Sequence, residues 1–186
     1  NGESGISIAN GEARANVATG NRRGVEASSS TVSFNRVYAN TLEGIYSSSS
    51  TVVGNTSYSN GTGLFLSSTS TARSNLVYAN ATQGVLMQGG NGSQFIGNTV
   101  YQPAGNALTV QSSASNLRLA DNILWAVAGT DIVVAPDSQN GFVSERTTLV
   151  ASTHRIYATS EKMPMGDGRY DAARVVDAAM ELAGSA

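Results

Sequence analysis

FNRVYANTLEGIYSSSS, residues 34–50, decides the fold because its parts come back along the chain. NRVYAN from Asn35 returns as NTSYSN from Asn55 and NLVYAN from Asn75. NVATGN from Asn16 precedes it, and NTVYQP from Asn98 and NILWAV from Asn122 continue it more loosely. The first asparagines lie 19, 20, 20, 23 and 24 residues apart. A second marker runs in phase: GISI, GVEA, GIYS, GLFL and GVLM, beginning at Gly5, Gly24, Gly44, Gly63 and Gly84. Two markers that repeat in phase identify a repeat architecture more firmly than either alone.

Within each unit, apolar residues alternate over short runs separated by Ser, Asn or Gly. Ile6 and Ile8, Leu64 and Leu66, and Val85 and Met87 fit one strand face; Val32 and Phe34 fit another, as do Phe95 and Gly97 less well. Alternation of this kind turns every second side chain toward a core. No helical period appears before residue 170. A period of about 20 residues without a helix implies a solenoid of three short strands and three turns per coil. Six to seven coils stacked at ~4.8 Å make a rod on the order of 30 Å long. Propeller blades need roughly twice the period, and leucine-rich repeats need their leucine pattern, so both fit worse.

GIYSSSSTVVGNTSYSN and GLFLSSTSTARSNLVYAN resemble the repeats of right-handed parallel β-helix proteins of the pectate-lyase-like superfamily, and the resemblance covers roughly residues 4–135. It implies an all-β fold: a single-stranded right-handed parallel β-helix over 1–135. Residues 136–160 are expected to be irregular terminal strands or a loop, and 161–186 a C-terminal helix that caps the solenoid. There Asp171 suits an N-cap, and Ala172, Val175, Val176, Ala179, Met180 and Leu182 form an apolar face before Gly184. The superfamily holds polysaccharide lyases, hydrolases, epimerases, phage tail proteins and adhesins. The resemblance therefore implies a secreted or cell-envelope location and leaves the activity open.

Composition narrows the choice. The net charge of −2 and a charged fraction of 13% give no basic surface for nucleic acid, and Arg22–Arg23 is too short for a phosphate stripe. Cysteine is absent, which removes disulfides, thiol catalysis and thiolate metal sites. No apolar run approaches the ~20 residues of a membrane helix. The opening NGESGIS has neither the features of a signal peptide nor an initiator methionine, consistent with part of something longer.

Asn35, Asn55, Asn75, Asn98 and Asn122 are expected at a tight inter-strand turn, where stacked amides bond along the axis and tolerate its unusual dihedrals. A second column, Asn21, Asn40, Asn60 and Asn80, serves another turn and frays at Pro103 and Val127. GGNGSQ, residues 89–94, lacks the lysine of a phosphate loop and reads as a surface turn. Phe34 and Val37 are expected to point inward. Tyr38, Tyr58, Tyr78, Tyr101 and Trp125 alternate with inward Val37, Val77 and Val100, so the aromatics face outward. They either stack to support the coils or bind sugar faces.

Catalytic signals are sparse. The resemblance to acidic polysaccharide lyases implies calcium-binding carboxylates and a basic residue, yet Lys162 lies beyond the solenoid and no Asp-x-Asp pattern occurs. The Asp-Pro-His pattern of alginate epimerases is absent. A glycosidase needs two carboxyl groups about 5 to 9.5 Å apart; Glu26 with Glu43, and Asp121 with Asp131, are the weak candidates. His154 has no recognisable triad, and one histidine with scattered methionines does not support copper. GDGRYDAARVV resembles half a dockerin calcium repeat at Asp167, Gly168 and Asp171. Met163 and Met165 replace the preceding ligands, and Arg174 stands where the final acid belongs. No cofactor is expected, and calcium is unsupported.

The leading expectation is a non-enzymatic extracellular or cell-envelope module that binds polysaccharide or acts as a spacer. The alternatives are a polysaccharide lyase or glycoside hydrolase with an incomplete site, and a fibre-forming or adhesive subunit joined to further coils of a parent protein or a neighbouring chain. Glu26, Tyr46 and Phe65, outward in the strand after each glycine marker, are the first candidates for a cleft.

Overall fold

The computed structural model describes residues 2–150 and the backbone of one further strand, Ile156–Ala158. The expected helix over 161–186, Lys162, His154 and the dockerin-like residues lie outside the described residues. The chain forms three parallel sheets, visited in the same order by every coil. Sheet 1 holds eight strands, beginning with Ser4–Ala9, Arg23–Ser28, Glu43–Ser48, Thr62–Ser67 and Gln83–Gln88. Sheet 2 has seven, from Glu12–Arg14 to Val143–Glu145, and sheet 3 has seven, from Val17–Thr19 to Thr148–Leu149. This is a right-handed parallel β-helix of about seven coils. The terminal strands Val143–Glu145, Thr148–Leu149 and Ile156–Ala158 pair in parallel on the preceding coil, one on each sheet.

The core is a set of columns inside the tube. On sheet 1, Val25, Ile45, Leu64, Val85, Leu108 and Ile132 stand in register and are fully buried. Ala13, Val32, Val52, Ala72, Phe95 and Leu119 do the same on sheet 2. Parallel pairing places like beside like, so one apolar residue per coil becomes a continuous dry column. Ile6 and Ile8, in the first coil, are only partly buried.

The three corners share one device. A residue with positive φ turns the chain, and the next residue bonds to the neighbouring coil. Between sheets 2 and 3 the left-handed residue is Ala15, Phe34, Gly54, Ser74, Gly97 or Asp121, and each precedes a ladder asparagine. The unusual dihedral thus belongs to the residue before the asparagine, contrary to the expectation above. The amide has another task. Its Oδ1 accepts the backbone and side-chain N–H of the asparagine one coil back: Asn35 to Asn55 at 2.8 and 2.9 Å, Asn55 to Asn75 at 2.9 and 3.0 Å. Its Nδ2 reaches back to a strand carbonyl, as from Asn55 to Val32 at 2.9 Å. The column continues through Asn98 to Asn122, all buried. Such bonds satisfy corner groups that water does not reach.

Phe34 corrects a second expectation. It is 55% exposed and lies outside the tube, because the left-handed corner breaks the alternation that began at Val32. The ring covers Gly54, where an added Cβ would come within 2.7 Å of it, and the Arg14 guanidinium sits 5.0 Å from its centroid. Gly97 is likewise a corner residue with φ of 62°, so Phe95 alone belongs to the strand face.

The second asparagine column does not stop at Asn80. Gln102, one residue before Pro103, accepts the Asn80 N–H at 3.2 Å and donates to the Asn80 and Ala104 carbonyls. In the following coil the Asp131 carboxylate accepts the Ala126 N–H at 2.7 Å. The longer coils keep the corner bonded with a longer amide and then a carboxylate. A third column, not anticipated, lies between sheets 1 and 2. Ser30, Ser50, Ser70 and Ser93 each accept a backbone N–H from the coil before, at 3.1, 3.0, 3.3 and 3.2 Å. The glycine-rich 89–94 stretch delivers Ser93 to this column.

Candidate functional site

Two outer faces carry the residues singled out above. On sheet 1, strand register sets Ser7, Glu26, Tyr46, Phe65, Leu86, Thr109 and Val133 in one outward row. The row is flanked on one side by Glu43, Thr62 and Gln83, and on the other by Ser28, Ser48, Ser67, Gln88 and Gln111. Glu26, Tyr46 and Phe65, predicted from the strand after each glycine, therefore occupy successive coils of a single strip. Tyr46 and Phe65 stack with centroids 4.9 Å apart at 23°.

Arg23, which the sequence reading passed over, organises the near end of that strip. Its Nη1 donates to Glu26 at 3.0 Å and its Nε to Glu43 at 2.8 Å, while Cζ lies 4.4 Å from the Tyr46 centroid. Ser4 Oγ donates to the other Glu26 oxygen at 2.5 Å. Glu26 and Glu43 thus share one cation instead of facing each other across a cleft. The Ser4 hydrogen bond and the Arg23 charge outweigh partial burial and hold the Glu26 carboxyl below the usual glutamate range. Burial works against the Arg23 guanidinium, but its bonds to Glu43 and Glu26 raise its pKa overall. Glu26 accordingly stays ionised and is a poor proton donor.

A depressed carboxylate pKa contributes stability above the ordinary glutamate value of 4.5, and that contribution is lost as pH falls through the lower folded value. Replacing Glu26 with Gln should remove this component. Denaturation midpoints measured between pH 6 and about pH 3 should fall less steeply for the variant; parallel curves would exclude a role for Glu26.

The second carboxylate pair is not brought together. Asp121, on an exposed corner, is held by Arg146 Nε at 2.6 Å and Nη2 at 3.0 Å, which lower its pKa. Asp131 is buried and turned to the backbone at Ala126. Among the described residues no three of His, Cys, Asp and Glu converge as a metal site.

Sheet 3 presents the aromatic column. Tyr38, Tyr58 and Tyr78 stack nearly parallel, with centroids 5.0 and 4.8 Å apart at 7° and 3°. Both faces of the Tyr58 ring are therefore occupied, leaving edges and hydroxyls outward. Tyr101 and Trp125 instead meet edge to face, 4.9 Å apart at 66°, and are 37% and 42% exposed. That geometry leaves an aromatic face free for a ligand. Arg36, also missed in sequence, lies along the column with Nε and Nη2 2.9 and 2.6 Å from the Tyr58 hydroxyl. Its partner is 22 residues away, a separation that the repeat period suggests but does not assign to any side chain.

The chain matches the model of the right handed beta helix region over residues 1–124. No curated protein matches it. The A-module of mannuronan C-5 epimerase AlgE6 from Azotobacter vinelandii superposes with a TM-score of 0.71 at 17% identity, covering 88% of this chain and 52% of that one. The AlgE4 A-module from the same organism gives 0.66 at 16%, covering 87% and 58%. A double mutant of the periplasmic alginate epimerase AlgG gives 0.53 at 17%, covering 86% and 48%. The chain spans about half the length of each, and at these identities the likeness is one of fold. With two thirds of its residues under the family model and the matching coil topology, this chain belongs to the right-handed β-helix family.

Proposed function

We propose that this chain is a polysaccharide-binding segment of a secreted or cell-envelope protein that modifies polysaccharides, with the polymer lying along the outer face of sheet 1. The strip of Tyr46, Phe65 and Leu86, bordered by hydroxyl and amide side chains and by the Glu43 carboxylate, carries the proposal. An extended sugar chain alternates apolar ring faces with hydroxyls, and a narrow apolar row with polar borders complements both. The related folds, described as epimerases of mannuronan or alginate, support a polymeric sugar as the ligand class.

A second reading, binding without turnover, is favoured by the Arg23 cluster. Its charges satisfy one another, and Glu26 lacks the raised pKa that a general acid needs. No catalytic residue is assigned to this chain. A glycan array followed by assays for unsaturated and epimerised products separates the two. Tyr46→Ala and Phe65→Ala should each weaken binding about tenfold, equal to ~1.4 kcal/mol. Unchanged affinity in both would remove the polymer from sheet 1, and product release by the isolated chain would overturn the reading without turnover.

A further inference from the structure

We propose that the outer face of sheet 3 is a second glycan surface, selective for uronate-bearing polysaccharides, with Arg36 as the group that receives the carboxylate. This rests on the reading that the chain engages polysaccharide. It assigns a different face and a different selectivity.

Charge distinguishes the two faces. The Arg23 cation on sheet 1 is already bonded to Glu26 and Glu43, so it is not open to a carboxylate of an acidic polymer there. On sheet 3, the outward positions of the seven strands contain no acid, and Arg36 is the one basic residue among them. The nearby corner carboxylate, Asp121, is neutralised by Arg146. Arg36 makes no ion pair with a carboxylate among the described residues; it is held by neutral aromatic groups.

The hold is specific. Nε and Nη2 both point at the Tyr58 hydroxyl, and Cζ lies 5.0 Å from the Tyr38 centroid and 5.7 Å from that of Tyr58. A guanidinium has five N–H groups, and Tyr58 takes two. The outer edge, formed by Nη1 and the remaining Nη2 hydrogen, keeps the fork that accepts a carboxylate through two parallel bonds. Bonding to Tyr58 and the ring contact restrict the side chain in advance, which lowers the entropy lost on binding. Three and four strands along, the edge-to-face pair of Tyr101 and Trp125 offers an open ring face beside Ile123, which is 46% exposed. The cation and this aromatic site are about 14–19 Å apart at the strand spacing, a span for an extended oligosaccharide and not for a single sugar.

The test uses the whole chain with two probes in calorimetry: oligogalacturonate of about six residues and its carboxyl-reduced counterpart. Arg36→Gln should weaken the acidic probe about tenfold and leave the neutral one within twofold. Arg36→Lys should recover part of the loss, because it restores charge without the fork. Trp125→Ala should weaken both probes, and the acidic preference should shrink in ~0.5 M salt. Equal affinity of wild type and Arg36→Gln for the acidic probe overturns the proposal, as does an equal loss for both probes. If Tyr46→Ala then abolishes binding while Arg36→Gln does nothing, sheet 1 remains the glycan surface and only the sheet 3 assignment fails. If wild type binds neither probe, the sheet 3 assignment falls, while the sheet 1 reading stands or falls on the glycan array.

Discussion

Replacing Asn55 with Ala should lower stability by about 3 kcal/mol, among the largest losses available to a single side chain here. The buried Asn35 N–H loses its acceptor at 2.8 Å, and the Val32 carbonyl loses its donor at 2.9 Å. Each buried group left unpaired costs about 1–3 kcal/mol. Asn16, at the start of the column, donates to Asn35 but receives no amide from another described coil. Asn16→Ala should therefore cost less than half as much. Urea denaturation followed by circular dichroism compares the two, with Asn55→Asp as a third variant that keeps the acceptor and buries a charge. Equal losses at Asn16 and Asn55 would show that burial within the column adds nothing.

Gly63→Ala should be at least as damaging. A Cβ there would overlap Val77 Cγ1 and come within 2.6 Å of the Gly84 carbonyl oxygen and 2.7 Å of Asn80 Nδ2. Two of those neighbours are fixed by the core and by the next coil, so relief requires the strands to separate. Overpacking of this kind costs about 1–3 kcal/mol where side chains can yield and more where backbone must move. Gly11→Ala is the matched comparison, since its nearest neighbour would be Ala9 O at 3.8 Å; it should change stability by less than about 0.5 kcal/mol. A Gly63→Ala protein with the wild-type midpoint would mean that the strand starts farther from its neighbours than described.

These two positions explain why the markers were legible. Gly24, Gly44, Gly63 and Gly84 each stand second in a sheet 1 strand against the next coil's backbone, and only a residue without Cβ fits there. Asparagine returns at the corner between sheets 2 and 3 because a short side chain must both accept and donate at the coil spacing. The serine column uses the same principle, but serine is so frequent in runs such as SSSST that no single position stood out. Phe34 was misplaced because alternation holds only within a strand, and a left-handed residue resets the phase. Gln102 was missed for a related reason: a longer side chain from one residue earlier reaches the bond that asparagine makes elsewhere.

By itself the sequence determined the repeat, the parallel solenoid and the residues that hold its corners. Those features arise from contacts that recur in every coil, so one unit of sequence describes them all. Only the tertiary structure decided which outward side chains meet. Arg23 joins Glu43 twenty residues on, and Arg36 joins Tyr58 twenty-two residues on. Ring stacking closes the faces of Tyr58 while the edge-to-face contact leaves a ring open at Tyr101 and Trp125. Those outcomes depend on inter-coil register, side-chain reach and rotamer. Cations and carboxylates at neighbouring rungs can pair in several ways, and the spacing of the repeat alone does not choose among them.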